Sequence, residues 1–439
     1  NIMIPTLVRG FVCNNNGGID SLNLNSMKHR AWSGYLCYDN NLDYSTSKEI
    51  PNLSPHIIAC LDKSSINDDN VLIHGEIYGD YIPIINNVIN CTDIHKLTSH
   101  IQELYKLDGS YCMIIMGKLG PIFLRDPLGC KPLYLGKKNN SFSISTQKSI
   151  LINSNFQVED FIPGTALILD SGKIINVRNL STTNYSQYDA DTLLNLLKNS
   201  ISSRIGNKNT IGVSFSGGID SSILISIANE FTEIKAFNVR MKDSYDFDNA
   251  KKLANLLGID LIEIEPKKDH IPDDIPNITS IAEIMRPMDV SIALGFYYVA
   301  KTAQEHGVST LFVGQLADEL FGGYARYIRT MSEESPQFVT DMMNTDVHQA
   351  YTKNFERDEK ITSPFVDLFV PYASIPLVDF ALSCPIEYKI DSNNEIRKVI
   401  LRSVAKKLNL PDEIIYQTKK AIHFSSGIDK VVKRTLKNN

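Results

Sequence analysis

The 439-residue sequence has no apolar run long enough to cross a bilayer, and its hydrophobic stretches are broken by charges. That argues against a membrane-spanning helix. It also lacks a basic excess. Its 44 lysines and arginines stand against 50 aspartates and glutamates, a net charge of −6, so the broad basic face of a nucleic-acid binder is missing. Cysteines are few: seven, an odd number, with no CxxC pair and six of them before residue 131. This pattern argues against zinc and against a disulfide framework, and for reduced thiols acting as small buried hydrophobes. The sequence as given opens without a charged-then-apolar leader, and a cytoplasmic location is expected. The Walker loop GxxxxGK followed by Ser or Thr is absent, as is GxGxxG, which removes the two commonest glycine-loop nucleotide sites. Internal repeats and low-complexity segments are missing too.

What is present is a different glycine loop. Residues 213–223 read VSFSGGIDSSI. Ile211, Gly212, Val213 and Phe215 read as a buried strand, with Ser214 among them. Ser216, Gly217 and Gly218 make a tight turn, and Asp220, Ser221 and Ser222 open a helix. Strand, glycine turn and helix offer backbone N–H groups and a helix N-terminus to phosphates. An aspartate among phosphate binders repels them unless a cation sits between, so Asp220 suggests Mg2+. A second string, LFVGQLADELFGGYARY at 311–327, runs an apolar strand into Gly314 and places Asp318 and Glu319 just beyond it. Ligands of open parallel sheets sit at the carboxyl ends of strands. Asp220 and Asp318 are therefore expected to face one Mg-pyrophosphate from neighbouring strand ends.

The organisation is that of two halves. Residues 1–180 hold many short β-like runs (VLIHGEI, YCMIIM, PIFLRD, FSISTQ, TALILD), with one convincing helix around His95–Tyr105, and read as a β-rich layered domain. The polar stretch 180–189 reads as a linker. From residue 190 to 439 helices and strands alternate, the pattern of a parallel sheet covered on both faces, followed by a mainly helical segment. The fold class is α/β and α+β.

These strings resemble the asparagine synthetase family, including its β-lactam synthetase relatives and an archaeal-looking branch. SGGIDSS, ADELFGGY and YQTKKAIHFSSGIDK (416–430) match its synthetase half. HGEIYGDY (74–81), LDGSYCMIIM (107–116) and RDPLGCKPLY (125–134) match its class II glutamine amidotransferase half. The resemblance implies an amidotransferase-like β-sandwich over 1–180 and an ATP-pyrophosphatase synthetase domain over 190–439. It implies a ligase that activates a carboxylate with ATP and Mg2+, forming AMP and pyrophosphate. Ser214, Ser216, Gly217, Gly218, Ser221, Ser222, Val239 and Gly314 would bind the nucleotide, with adenine against Val239. Asp220 and Asp318 would hold the metal. Lys419 matches the family lysine, with Lys420 one register away, and Gln315 would face the reacting groups.

The departures bear on the reaction. The family's glutaminase uses an N-terminal cysteine, whereas Asn1 opens this sequence; His74 stands where the family has an oxyanion-hole asparagine; the glutamine-binding arginine has no counterpart in SPHIIACLDK (54–63). A catalytically dead glutaminase fold is expected. Gln315 replaces the glutamate of glutamine-using synthetases and the tyrosine of β-lactam synthetases. In VDLFVPYASIPLVDFA (366–381), Phe369 and Ser374 replace the arginine and final aspartate of the family's acceptor segment. The partners expected are a small carboxylate with ammonia or an amine, with no nucleic acid and no membrane; a homodimer is left open. The rival readings are an intramolecular amide synthetase of the β-lactam type and a nucleotide-binding scaffold without turnover. A tRNA-thiolating enzyme fits less well, because residues 210–330 lack cysteine.

Overall fold

The computed structural model describes residues 6–14, 34–38, 44–47, 57–61, 70–139, 141–177, 180, 185–240, 247–417 and 428–438. The chain divides into two compact units, Asn1–Leu180 and Ser181–Asn439.

In the first unit the described elements are β1 (Thr6–Asn14), β2 (Gly34–Tyr38), β3 (Tyr44–Ser47), β4 (Ile57–Leu61), β5 (Val71–Ile77), α1 (Ile82–Asn90), α2 (Ile94–Leu104), β6 (Gly109–Gly117), β7 (Gly120–Arg125), β8 (Tyr134–Lys138), β9 (Ser141–Ser145), α3 (Lys148–Asn153), β10 (Gln157–Asp160), β11 (Thr165–Ile168) and β12 (Lys173–Asn176). They pair in the order β10-β8-β9-β1-β5-β6-β7-β11-β12, with β4 also on β1 and β2–β3 on β4. Strand side chains alternate between two cores, as the period of two requires. Phe11, Leu72, Ile114, Phe123 and Leu135 fill one. Val71, Ile73, Met113 and Leu124 fill the other with Ile85, Leu97 and Ile101 from α1 and α2. The sequence offers one clear helix here, and the described residues form three. IPIINNVIN of α1 reads as strand by its β-branched content, yet Ile85 and Val88 lie one turn apart and are both buried; packing overrides propensity.

The string RDPLG is a structural knot. The buried Arg125 guanidinium donates to the carbonyls of Lys131 (2.9 Å), Phe161 (2.6 Å) and Gly129 (3.1 Å). Asp126 accepts from the N–H groups of Tyr111, Leu128 and Gly129 at 2.7–3.1 Å. The burial of both side chains makes this satisfaction obligatory.

The second unit runs α4 (Ala190–Ile205), β13 (Thr210–Ser214), α5 (Ile219–Ala228), β14 (Glu233–Val239), α6 (Phe247–Leu257), β15 (Asp260–Ile264), α7 (Ile271–Ala282), α8 (Pro287–Glu305), β16 (Thr310–Phe312), α9 (Ala317–Phe321), α10 (Ala325–Glu333), α11 (Pro336–His348), α12 (Glu356–Thr362), β17 (Asp367–Phe369), α13 (Ile375–Ser383), the short pair β18 (Ile390–Asp391) and β19 (Ile396–Arg397), α14 (Val399–Lys407), α15 (Asp412–Ile415) and α16 (Ile428–Asn438). The main sheet is five parallel strands in the order β15-β14-β13-β16-β17. Its central strands β13 and β16 are buried, edge strand β15 is only partly covered, and helix α5 is buried at every residue but Asp220, as a sheet covered on both faces requires at its centre. The chain leaves β13 toward β14 and returns to β16 on the other side. That reversal opens a crevice beyond the carboxyl ends of β13 and β16. Among the described residues no helix is long and apolar enough to cross a membrane.

Candidate functional site

The crevice is floored by the glycine loop. Phe215 N–H continues the ladder to the Phe237 carbonyl (2.8 Å), and Asn238 Nδ2 donates to the Phe215 carbonyl (2.6 Å), so the loop leaves the sheet in a fixed direction. Gly217 has φ of 76°, a left-handed turn that favours glycine. Ser216 Oγ lies 3.1 Å from Ser221 Oγ and accepts from Gly218 N–H at 3.3 Å. From the far side Gln417 Nε2 donates to the Gly217 carbonyl (2.9 Å). Tyr372 Oη donates to the Asp220 carbonyl (3.1 Å).

A cavity of about 930 Å³ opens above this loop. Ser214, Ser216, Gly218, Asp220 and Ser221 line it from the β13 side, Gly314, Gln315 and Asp318 from the β16 side. Gly217, Ser222 and Val239 are not on its wall: Ser222 is fully buried in α5, and Val239 faces α8, where a Cβ on Gly295 would lie 3.8 Å from Val239 Cγ1. Lys419 and Lys420 lie outside the described residues, as do Asn1 and half of 54–63.

The two aspartates meet. Lys398 Nζ lies 2.5 Å from Asp220 Oδ1 and 2.7 Å from Asp318 Oδ1, with its side chain 3% exposed. One cation thus sits between carboxylates from two strand ends. Burial pulls the Lys398 ammonium below the usual lysine value, against the opposing pull of Asp220. The geometry around it is tight. A Cβ on Gly323 would stand 1.8 Å from Asp318 Oδ1 and 2.4 Å from Lys398 Cε. Leu316 and Lys398 are non-glycine residues with φ of 74° and 58°. Such positive angles concentrate at functional sites.

Two further cations share the wall. Arg397 donates to the Gly323 carbonyl (2.7 Å), and Arg402 donates to the carbonyls of Arg397 (2.7 Å) and Ile415. Burial lowers both from the usual arginine value, but a guanidinium stays charged. Among the described residues neither arginine has a carboxylate partner, and both line the cavity. Sequence reasoning missed Lys398, Arg397 and Arg402. The adjacent string RKVILR has no motif value by itself, and 178 residues separate Lys398 from Asp220.

The opposite wall is a second polar layer. Gln315 Nε2 donates to Asp358 Oδ2 (2.5 Å), and Arg357 bridges Asp358 (2.8 Å) to Asp289 (3.2 Å). Burial pushes Asp358 above the usual carboxylate range, against the pull of Arg357. Glu319 accepts from Tyr324 Oη (2.6 Å) and Asn354 Nδ2 (2.7 Å), and burial raises its pKa as well. Phe369 is off this wall and stacks on Phe312 at 5.4 Å. Ser374 is buried just before α13.

The asparagine synthase family model matches residues 192–344 and 329–438, more than half of the chain. The chain belongs to the asparagine synthase family. It is an enzyme of the carbon–nitrogen ligase class, and the family's chemistry is ATP-dependent amide formation. It is similar to a provisionally named glutamine-hydrolyzing asparagine synthetase 1 of Methanocaldococcus jannaschii, 26% identical over 95% of this chain and 92% of that protein. This agrees with the archaeal-looking branch read from the sequence. It is also similar to the glutamine-hydrolyzing asparagine synthetases of Gallus gallus and Homo sapiens, 26% and 24% identical. The aligned part spans 66% of the chicken protein and 65% of the human one.

Asparagine synthase chemistry needs polyphosphate charge neutralised, and the cavity's donor set suits it. Mg2+ commonly keeps several waters and binds through one or two carboxylates plus substrate phosphates. Asp220 and Asp318, already sharing one buried cation, fit that donor set. Lys398, Arg397 and Arg402 can then meet phosphate oxygens, with bidentate hydrogen bonding available to the arginines.

Proposed function

We propose that this protein uses Mg-ATP to activate a small carboxylate as an acyl-adenylate and passes the acyl group to ammonia or to an amine. Aspartate going to asparagine is the default pair. The observation that carries the reading is the pairing of Asp220 and Asp318 across one cation at adjacent strand ends, above a glycine loop and beside two arginines that have no carboxylate partner among the described residues.

In the first step a carboxylate oxygen attacks the α-phosphorus and pyrophosphate leaves. Ser216, Gly218 and Ser221 cradle the departing pyrophosphate, Asp220 and Asp318 would hold Mg2+, whose charge would neutralise the phosphates, and Lys398, Arg397 and Arg402 stabilise the charge that develops. In the second step nitrogen attacks the acyl carbon, AMP leaves, and nitrogen sheds a proton. Lys419, or Lys420 one register on, stabilises charge at the acyl centre.

Free ammonia or a substrate amine is the nitrogen source in this reading. His74 supports it: the residue is buried in β5, opposite Cys112 on β6, where a side-chain amide serves the family's oxyanion hole. The altered acceptor wall, with Gln315 bound to Asp358 and Phe369 turned away, favours a specialised amide synthetase as the second reading.

The test is AMP and pyrophosphate release from Mg-ATP across a panel of carboxylates, with ammonium or glutamine as donor. Equal amounts of AMP and pyrophosphate that depend on a carboxylate and on ammonium are expected. ADP and inorganic phosphate as products, or no carboxylate dependence, would overturn the reading.

A further inference from the structure

We infer that Arg326 and Lys353, gathered by Asp346, form the subsite that holds a second carboxylate on the acceptor. The inference rests on the ligase reading and adds to it the residues that choose the substrate.

Three elements converge to build this place. Arg326 is in the first turn of α10, just after Gly322 and Gly323. Asp346 is near the end of α11. Lys353 is in the π-helical turn Tyr351–Phe355 that joins α11 to α12. A π turn inside a helical run is uncommon and occurs often at functional sites. Here Lys353 and Asn354, consecutive residues of that turn, both line the cavity.

The charges do not balance. Asp346 Oδ2 accepts from Arg326 Nη2 (2.5 Å) and Tyr327 Oη (2.6 Å), and its Oδ1 lies 3.2 Å from Lys353 Nζ. One carboxylate thus serves two cations and a phenol. Its own side chain is 8% exposed, whereas Arg326 and Lys353 remain 45% and 46% exposed, and all three line the cavity. Contrast Lys360, which is fully buried between Glu283 and Glu356 and has no charge left to offer. Arg326 is also held in orientation, its guanidinium 5.0 Å from the Tyr324 ring and 5.3 Å from the Tyr327 ring. These cation–π contacts hold in place a guanidinium whose fork suits bidentate carboxylate binding.

Arg357, by contrast, is buried between Asp358 and Asp289, Lys398 bridges Asp220 and Asp318, and Arg286, 74% exposed, shares Asp289 with Arg357. Arg397 and Arg402 lie at the phosphate end with Lys398. The subsite connects to that end through Glu319, which follows Asp318 and accepts from Tyr324, two residues before Arg326. An acceptor with one carboxylate at the phosphate end and another at Arg326 and Lys353 would span that short chain of contacts.

The test is carboxylate-dependent exchange of labelled pyrophosphate into ATP by the full chain. Amino dicarboxylates and plain dicarboxylates are compared with monocarboxylates of matched length. Exchange is expected with the dicarboxylates only. Losing a hydrogen bond to a charged group should raise acceptor KM about tenfold or more in R326Q and in K353M, with ATP KM within about twofold of wild type. R326K should recover part of the loss. Melting temperatures accompany each variant; should R326Q fail to fold, K353M carries the comparison, since its side chain is nearly half exposed. Equal exchange with monocarboxylates, or unchanged acceptor KM in both variants, would overturn the subsite and leave the ligase reading standing. Absence of exchange with every carboxylate in the wild-type protein would overturn both.

Discussion

Replacing Lys398 with methionine isolates the electrostatic centre of the second unit. Its ammonium is 2.5 Å from Asp220 and 2.7 Å from Asp318, and its side chain is 3% exposed. At an effective dielectric of about 20, each contact carries roughly 6 kcal/mol of gross Coulomb attraction. Burying the ammonium offsets several kcal/mol of that, so the pair terms cannot simply be summed. The variant, however, removes the cation that lies between two carboxylates. Breaking a buried pair in this way costs about 3–5 kcal/mol, or roughly 6–10 °C in melting temperature for a unit of this size. Scanning calorimetry in EDTA should show the second unit melting earlier by that amount. Added Mg2+ should then restore part of the loss in the variant, because the metal substitutes for the missing cation, and should affect the wild-type protein less. A variant that melts with the wild type in EDTA, or that ignores Mg2+, would refute the reasoning about both the lysine and the metal site.

Other outcomes follow from the same geometry. Asp220→Ala and Asp318→Ala should each lower kcat by on the order of 10²-fold or more in the protein that stays folded, since a metal carboxylate contributes several kcal/mol to the transition state, and each should also melt earlier because it breaks a contact of the buried Lys398; near wild-type turnover in either would remove the metal assignment. Gly323→Ala should displace Asp318 or Lys398, because its Cβ would stand 1.8 Å from Asp318 Oδ1; an unchanged kcat would contradict that contact. Lys389 is 2% exposed and burial pushes its ammonium down to about 8. The unfolded chain therefore binds more protons than the folded one between about pH 8 and 10.5, and this group's penalty is full below pH 8 and fades as pH rises. Lys389→Met should raise stability at pH 7 by on the order of 2–3 kcal/mol, with the gain shrinking toward pH 10.5 in denaturant titrations; a loss at pH 7 would show a compensating partner. Glutamate should not be released from glutamine, given His74 in the oxyanion position; release that a glutamine-mimicking alkylator blocks would restore a glutamine-dependent enzyme.

Much of the second unit is legible because its signals are local. An apolar strand, a glycine turn and an aspartate at 213–220, and again at 311–318, state their own geometry, and a parallel sheet leaves little choice about which strand ends can meet. Lys398 is not legible. It reaches Asp220 across 178 residues from a left-handed backbone that no propensity rule assigns to lysine. Arg326, Asp346 and Lys353 are hidden for a related reason: each looks like a solvated surface charge until a π turn and two helix ends bring them to one wall. Conversely, RDPLG is prominent as sequence but proves to be backbone scaffolding around Arg125 and Asp126. In the first unit α1 is obscured because isoleucine and valine speak for strand, and only its packing against β6 decides otherwise.

The central claim is that a carboxylate attacks the α-phosphorus of ATP, and isotope transfer tests it directly. With both oxygens of the acceptor carboxylate labelled by 18O, one labelled oxygen should bridge to phosphorus in the adenylate and leave with AMP when nitrogen displaces it. Mass spectrometry of the products should find one 18O in AMP and none in pyrophosphate. Label in inorganic phosphate alongside ADP, or AMP without label, would contradict the account.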